Sequence, residues 1–249
     1  NLKFDLEGIT EVRNKFFGTL FNTYNFFAIY ANVDQFKVTN GKNIPIETRP
    51  ELDRWILSRL QSLIKEYKIN MDNYEPTLST RLIERFVNDD LSNWHVRLSR
   101  RRFWKTDSSN EKISAFITLY ECLISVSQLI APFAPFFADW LYKNLIEGSN
   151  ENKSNEIVSV HLSTLPIQND SWVNLDLERR MNYAQRISSL VLSLRKSEKI
   201  RVRQPLSKIL LPILDENFQS DIKLVEDLIK AEVNIKKIQN LLPLLGKIE

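Results

Sequence analysis

Between Leu52 and Tyr67 the apolar residues Leu52, Trp55, Ile56, Leu60, Leu63, Ile64 and Tyr67 return at steps of three and four. That is the period of a helix with one buried face. Arg54, Ser58, Gln61 and Lys65 fall on the other side and predict a solvated surface. The same period governs the chain as far as Glu147. An aromatic-rich helix is expected from about Glu7 to Tyr30, carrying Phe16, Phe17, Leu20, Phe21, Tyr24 and Phe27. A loop then runs through Asn40, Gly41, Lys42 and Asn43 to Pro50, residues that favour turns. Asp72 to Pro76 opens a further helix reaching about Trp104, with proline tolerated in its first turn because the N–H it lacks would be unpaired there. After a polar turn at Thr106–Asn110, a very apolar helix spans Glu111 to Ile130. It is broken at Ala131–Pro135, and a shorter helix carries Phe136, Phe137, Trp140, Leu141 and Leu145. Short polar links between apolar-striped helices predict an antiparallel bundle.

The hydrophilic stretch Gly148 to Asn155 marks the expected boundary, giving a helical bundle over 1–150 and a second part over 151–249. Beyond it the period changes. Ile157–Val160 is a strand candidate, a proline-bearing loop follows, and a helix is expected from about Leu175 to Ser197. Ile200, Arg201, Val202 and Arg203 alternate like a strand that Ile209–Leu211 could pair with. A helix from Phe218 to Val233 and a strand from Asn234 to Ile238 complete a small α/β subdomain. The fold class is therefore mainly α, an antiparallel helical bundle followed by that subdomain.

Composition excludes several classes. A hydrophobic fraction of 43% and a charged fraction of 26% are those of an ordinary globular chain. The single cysteine, Cys122, rules out an intrachain disulfide and a cysteine-based zinc site, and such usage suits a reducing, cytoplasmic compartment. His95 and His161 lack the spacing of metal ligands. The five glycines are isolated, so neither a P-loop nor a dinucleotide fingerprint can be built. No catalytic residue, metal ligand or cofactor is expected within this chain. The N-terminus lacks an initiator Met and any signal pattern, and reads as a cut inside a longer protein. The apolar stretch around Leu129 to Leu141 is too short and too interrupted by prolines and Asp139 to span a bilayer, so no membrane partner is expected.

The net charge is only +3, so attraction to a polyanion must come from local clustering; the pI of about 8.8 leans towards nucleic acid. The cluster is Trp94 to Lys105, rich in basic residues and free of acids. On an α-helix Asn93, Arg97, Arg100 and Trp104 share one arc with Arg101 at its margin, while Leu91, Trp94 and Leu98 occupy an adjacent arc suited to the core. Arg102 points the opposite way. Guanidinium forks match phosphate oxygens, and aromatic faces stack on unpaired bases. The bland alternative is a solvated face, or pairing with Glu84, Asp89, Asp90 and other acids.

Asp53-Arg54-Trp55-Ile56-Leu57-Ser58-Arg59-Leu60, Tyr74-Glu75-Pro76, and Asp89 to Trp94 through Arg97 to Trp104 resemble isoleucyl-tRNA synthetases, class I aminoacyl-tRNA synthetases, in order and spacing. Ala131–Phe136, Ser159–Leu162 and Val202–Leu206 look like later landmarks of that family. The first run is shared with valyl enzymes; the Ser-Asn-Trp to Arg-Arg-Arg-Phe-Trp run is the isoleucine-specific part. The resemblance implies an anticodon-binding bundle with isoleucine tRNA as partner, attached to a catalytic domain of the same parent chain that uses ATP and Mg, and acting as a monomer. It implies RNA binding by Asn93, Trp94, Arg97, Arg100, Arg101, Arg102, Trp104 and Lys105, with Arg97, Arg100 and Arg101 on phosphates, Trp104 on a base or sugar, Trp94 mainly in the supporting core, and Arg102 and Lys105 as weaker members. The family's two ATP-handling signatures and its editing domain are absent; Lys196–Lys199 mimics one signature only superficially.

Other residues read more plainly. Cys122 is expected to be a buried small hydrophobe, and His95 a satisfied structural histidine. Asp89 and Asp90 diverge by about 100° on a helix and are expected to cap or pair with arginines. Arg201 and Arg203, on one strand face with Lys199, are a candidate second RNA contact. The alternative to RNA binding is a helical scaffolding domain whose aromatic faces dock other domains of a larger enzyme.

Overall fold

The computed structural model describes residues 5–105, 109–148, 159–213 and 215–241. Its chain divides into two compact units between Val173 and Asn174.

The first unit is helical. α1 (Leu6–Val12), a π-helical turn (Arg13–Phe17) and α2 (Gly18–Val33) follow one another without a break in helical backbone angles. Asp5 starts the run by accepting a hydrogen bond from the Glu7 amide at 3.0 Å. Inside the expected loop lie a 3-10 turn (Ile46–Thr48) and a short helix, α3 (Val38–Lys42). It docks so closely that a Cβ on Gly41 would stand 2.5 Å from Ile117 Cβ, which leaves room only for glycine. The loop ends on buried Arg49, whose guanidinium meets Glu121 at 2.6 Å and Thr118 at 3.2 Å.

α4 (Glu51–Asp72) sits deeper than its stripe suggests. Ser58 and Gln61, expected on a solvated side, are buried; over Gln61 later chain folds back, the Asn169 amide donating to its Oε1 at 2.8 Å. A three-residue turn returns the chain into α5 (Pro76–Arg85), a π-helical stretch (Phe86–Val96) and α6 (Arg97–Trp104), again without a break. α7 (Asn110–Ile130) is the central core helix. Length and composition alone would let it cross a membrane, yet 72% of its apolar window is buried within the bundle. α8 (Pro135–Gly148) is the last α-helix of the unit.

Residues 159–173 belong with this bundle, so the division falls later than the expected 150/151. The cause is local bonding: Asp139 accepts from the Ser159 hydroxyl at 2.6 Å and the Val160 amide at 3.1 Å, and Gln128 donates to Thr164 O at 3.0 Å. Lys143, with Ser159, holds the Asp139 carboxyl down at about 2. The expected strand Ile157–Val160 begins outside the described residues; from Val160 to Leu162 the chain makes a 3-10 turn.

The second unit contains α9 (Leu175–Ser197), β1 (Leu206–Leu211), α10 (Glu216–Val233) and β2 (Ile235–Asn240). β1 and β2 pair in parallel, Leu206 opposite Ile235 and Leu211 opposite Asn240, with α10 as the crossover that parallel neighbours need. Leu177, Met181, Ala184 and Ile187 of α9 and Ile222, Val225 and Ile229 of α10 are buried. Asn234, in the left-handed region at φ 52°, ends α10 and turns directly into β2. Two expectations are corrected here: Ile200–Arg203 is a turn, and Ile209–Leu211 pairs with β2 instead. The four carbonyls from Arg201 to Gln204 are drawn to side chains beneath them and are unavailable to a neighbouring strand.

Candidate nucleic-acid interface

α6 has two sharply different sides. Ser99 and Phe103 face inward, fully buried, with the Phe103 ring edge-on to Phe26 at 5.0 Å and Phe116 at 4.8 Å. Arg97, Arg100, Arg101 and Trp104 are exposed, at the i, i+3, i+4, i+7 spacing of one α-helical face. The turns before it, Phe86–Val96, are π-helical and bond i to i+5. Leu98, expected in the core, is only half-buried.

The sequence cluster separates into three groups. Asn93, Arg97, Arg100, Arg101 and Trp104 lie on the surface. Among the described residues, Arg100 and Arg101 have no ion pair or hydrogen bond through their side chains. The Arg97 Nε donates to Asn93 O at 2.7 Å, and its guanidinium sits 5.6 Å from the Trp94 ring centroid, a cation–π geometry. Trp104, 57% exposed, donates its indole N–H to the Tyr30 hydroxyl at 2.7 Å, which fixes the ring's orientation while leaving it accessible.

Lys105 is exposed but shared with Glu111 at 3.5 Å. Trp94 is buried at 4% exposure and serves the surface only as the floor under Arg97. Arg102 leaves the surface set altogether. Its two terminal nitrogens meet the Asp53 oxygens at 2.7 and 2.6 Å, and it also donates to Glu111 O. Asp53 on α4 is fully buried and further accepts from Ser114 at 2.7 Å and contacts His95 Nε2 at 3.0 Å. Burial by itself would raise the Asp53 pKa, but hydrogen bonds and charge from Arg102 and His95 outweigh it and hold the carboxyl well below the usual range. Asp90 pairs with Arg59 at 3.3 Å, a partner on α4 that the sequence reading did not name.

Two residues that position the candidate surface escaped the sequence reading. Tyr30 gave no signal, since it is far from Trp104 in the chain. Asp53 did give one. It shares a helix face with Ile56, Leu57 and Leu60, and an acid inside an apolar stripe demands a buried cation. Arg201 and Arg203 are exposed on a turn of the second unit. Cys122 is fully buried, and burial pushes its thiol far up, which makes it inert. Among the described residues no group of His, Cys, Asp and Glu is arranged to hold a metal ion.

Residues 53–210 match the family described as the anticodon-binding domain of tRNA ligase. Isoleucine–tRNA ligase of Cytophaga hutchinsonii is 54% identical over 239 residues, 96% of this chain and 21% of that protein. The Bacteroides fragilis enzyme of the same name is 51% identical over 239 residues, again 96% and 21%. That of Clostridium tetani is 40% identical over 238 residues, 95% and 22%. The chain thus spans about a fifth of the length of these curated relatives.

Proposed function

Because the chain belongs to the anticodon-binding domain family of tRNA ligases, we propose that it is the anticodon-arm binding region of an isoleucine–tRNA ligase. The observation that carries this reading is the exposed arc of Arg97, Arg100, Arg101 and Trp104, held on a helix whose opposite side is locked into the core. The arginines take phosphate oxygens, Trp104 takes the face of an unpaired base or a sugar, and Asn93 adds an amide at the edge. Asp53, Arg102 and Trp94 hold the arc in place without touching RNA.

On this reading the partner is isoleucine tRNA. The parent protein joins isoleucine to it with ATP and Mg in a catalytic domain elsewhere in the same chain, acting as a cytoplasmic monomer. The names of the relatives support the isoleucine assignment. The bundle's role is to grip the anticodon arm so that the acceptor end reaches that domain.

Filter binding of the chain to isoleucine and valine tRNAs over a salt series tests this. Each phosphate neutralised contributes a log–log slope of roughly −0.7 to −0.9. Tighter binding of the isoleucine tRNA, with a slope that falls in Arg97→Ala and Arg100→Ala, is expected. Salt-independent binding unaffected by either substitution refutes the proposal.

A further inference from the structure

The turn that follows α9 is built unlike an ordinary solvated connection. Arg195, in the last helical turn, is 3% exposed and has no carboxylate partner among the described residues. Its Nη1 donates to Arg201 O at 3.2 Å and Gln204 O at 3.0 Å, and its Nη2 to Val233 O at 2.9 Å and Asn234 O at 3.0 Å. The Asn234 amide nitrogen donates to Val202 O at 2.9 Å and Arg203 O at 3.1 Å. Every carbonyl from Arg201 to Gln204 is therefore occupied from beneath. The Arg201, Val202 and Arg203 amides have no acceptor among the described residues.

With its acceptors drawn inward, the segment presents donors and cations. Lys196, Lys199, Arg201 and Arg203 are all exposed, and Glu198 is the only acid among them. None of the four has an ion pair among the described residues, whereas Arg179 and Lys230 of the same unit do. Lys199 stands in the left-handed region at φ 54° as the residue that ends α9, held there by its N–H to Lys196 O at 3.2 Å and by the Ile200 N–H to Arg195 O at 2.8 Å. The buried charge of Arg195, met by carbonyl oxygens and by no carboxylate among the described residues, adds to the positive field.

We infer that this turn, Lys196 to Gln204, is a second, preformed binding site for the phosphodiester backbone of RNA, separate from the α6 arc. The inference rests on the RNA reading above for its choice of polyanion. Flexible lysines on a solvated loop would lose conformational freedom on meeting phosphate; a backbone already stapled by four hydrogen bonds from Arg195 and Asn234 avoids most of that loss. Its contacts go to phosphate, so it adds affinity and orientation with no base preference.

The test compares the 249-residue chain with Arg201→Gln/Arg203→Gln and with Arg100→Gln/Arg101→Gln, using an isoleucine tRNA transcript over a salt series and hydroxyl-radical footprinting. The turn variant is expected to lower the log–log slope by roughly 1.4–1.8, two phosphates' worth, and to abolish a protected RNA segment that the α6 variant leaves protected. A slope and footprint unchanged in the turn variant, while the α6 variant loses both, overturns this inference and leaves the α6 reading standing. The reverse pattern overturns α6 and leaves the turn standing. Lys196→Gln/Lys199→Asn, which keeps a residue suited to the left-handed position, must give the same direction of change; no change there also overturns the inference.

Discussion

Arg102 and Asp53 face one another through two parallel N–H···O bonds of 2.7 and 2.6 Å, joining α6 to α4 across 49 residues of sequence. With Asp53 fully buried and the Arg102 side chain 14% exposed, this fork fixes how α6 is rotated. The neighbouring Arg100 and Arg101 are thereby directed outward.

Asp53→Asn should therefore destabilise the first unit by about 3–5 kcal/mol, the usual cost of leaving a buried partner charge uncompensated, as measured by urea unfolding. The pH dependence follows from the direction of the shift. The folded pKa lies below the unfolded one, so the contribution is complete above the unfolded value of about 3.9 and is lost as pH falls below it towards the folded pKa. The gap between wild type and Asp53→Asn should be constant from neutral pH down to about 5 and narrow below about 4. A gap that narrows between pH 7 and 6 would place the coupling elsewhere.

The two tryptophans of the cluster should separate cleanly. Trp94→Ala is expected to cost about 3–5 kcal/mol of folding stability, because the ring is buried. Trp104→Ala should leave unfolding nearly unchanged and weaken RNA binding by about 1–3 kcal/mol if the indole stacks on a base. Tyr30→Phe removes the hydroxyl that orients Trp104 and should weaken binding in the same direction by less. Equal loss of stability in Trp94→Ala and Trp104→Ala would contradict this division.

Much of the fold was legible because burial and helical period coincide. The seven apolar positions from Leu52 to Tyr67 belong to one helix, and the α9 and α10 segments were read nearly to their ends. What failed did so for nameable reasons. Ile200–Arg203 alternates like a strand, but Arg195 and Asn234 capture its carbonyls, a tertiary effect without a local pattern. Gln61 looks like a surface residue until distant chain folds over it. Within the site, Arg97, Arg100, Arg101 and Trp104 were placed on a common face from spacing alone. Arg102 was grouped with them through family resemblance, although helical geometry already turned it away, and the buried acid on α4 explains where it goes.

Cys122 is expected to resist thiol reagents in the native chain and to react fully in denaturant, since burial both shields the sulfur and disfavours its thiolate. The labelling rate should follow the opening of the bundle around α7. Rapid labelling under native conditions would show that α7 is not the closed core helix described above.

Arg100 and Arg101, exposed and unpaired among the described residues, should tolerate glutamine with stability changes within about 0.5 kcal/mol. Any effect of those substitutions on RNA binding can then be read as lost contact.

On the proposed reading, the outward arc of α6 meets the anticodon arm. Hydroxyl-radical footprinting of isoleucine tRNA bound to wild type and to Arg97→Gln/Arg100→Gln/Arg101→Gln tests it most directly. The wild-type chain is expected to protect the anticodon stem and loop, and the triple variant, still folded, to lose that protection. Full protection of the anticodon arm by the folded triple variant would contradict it.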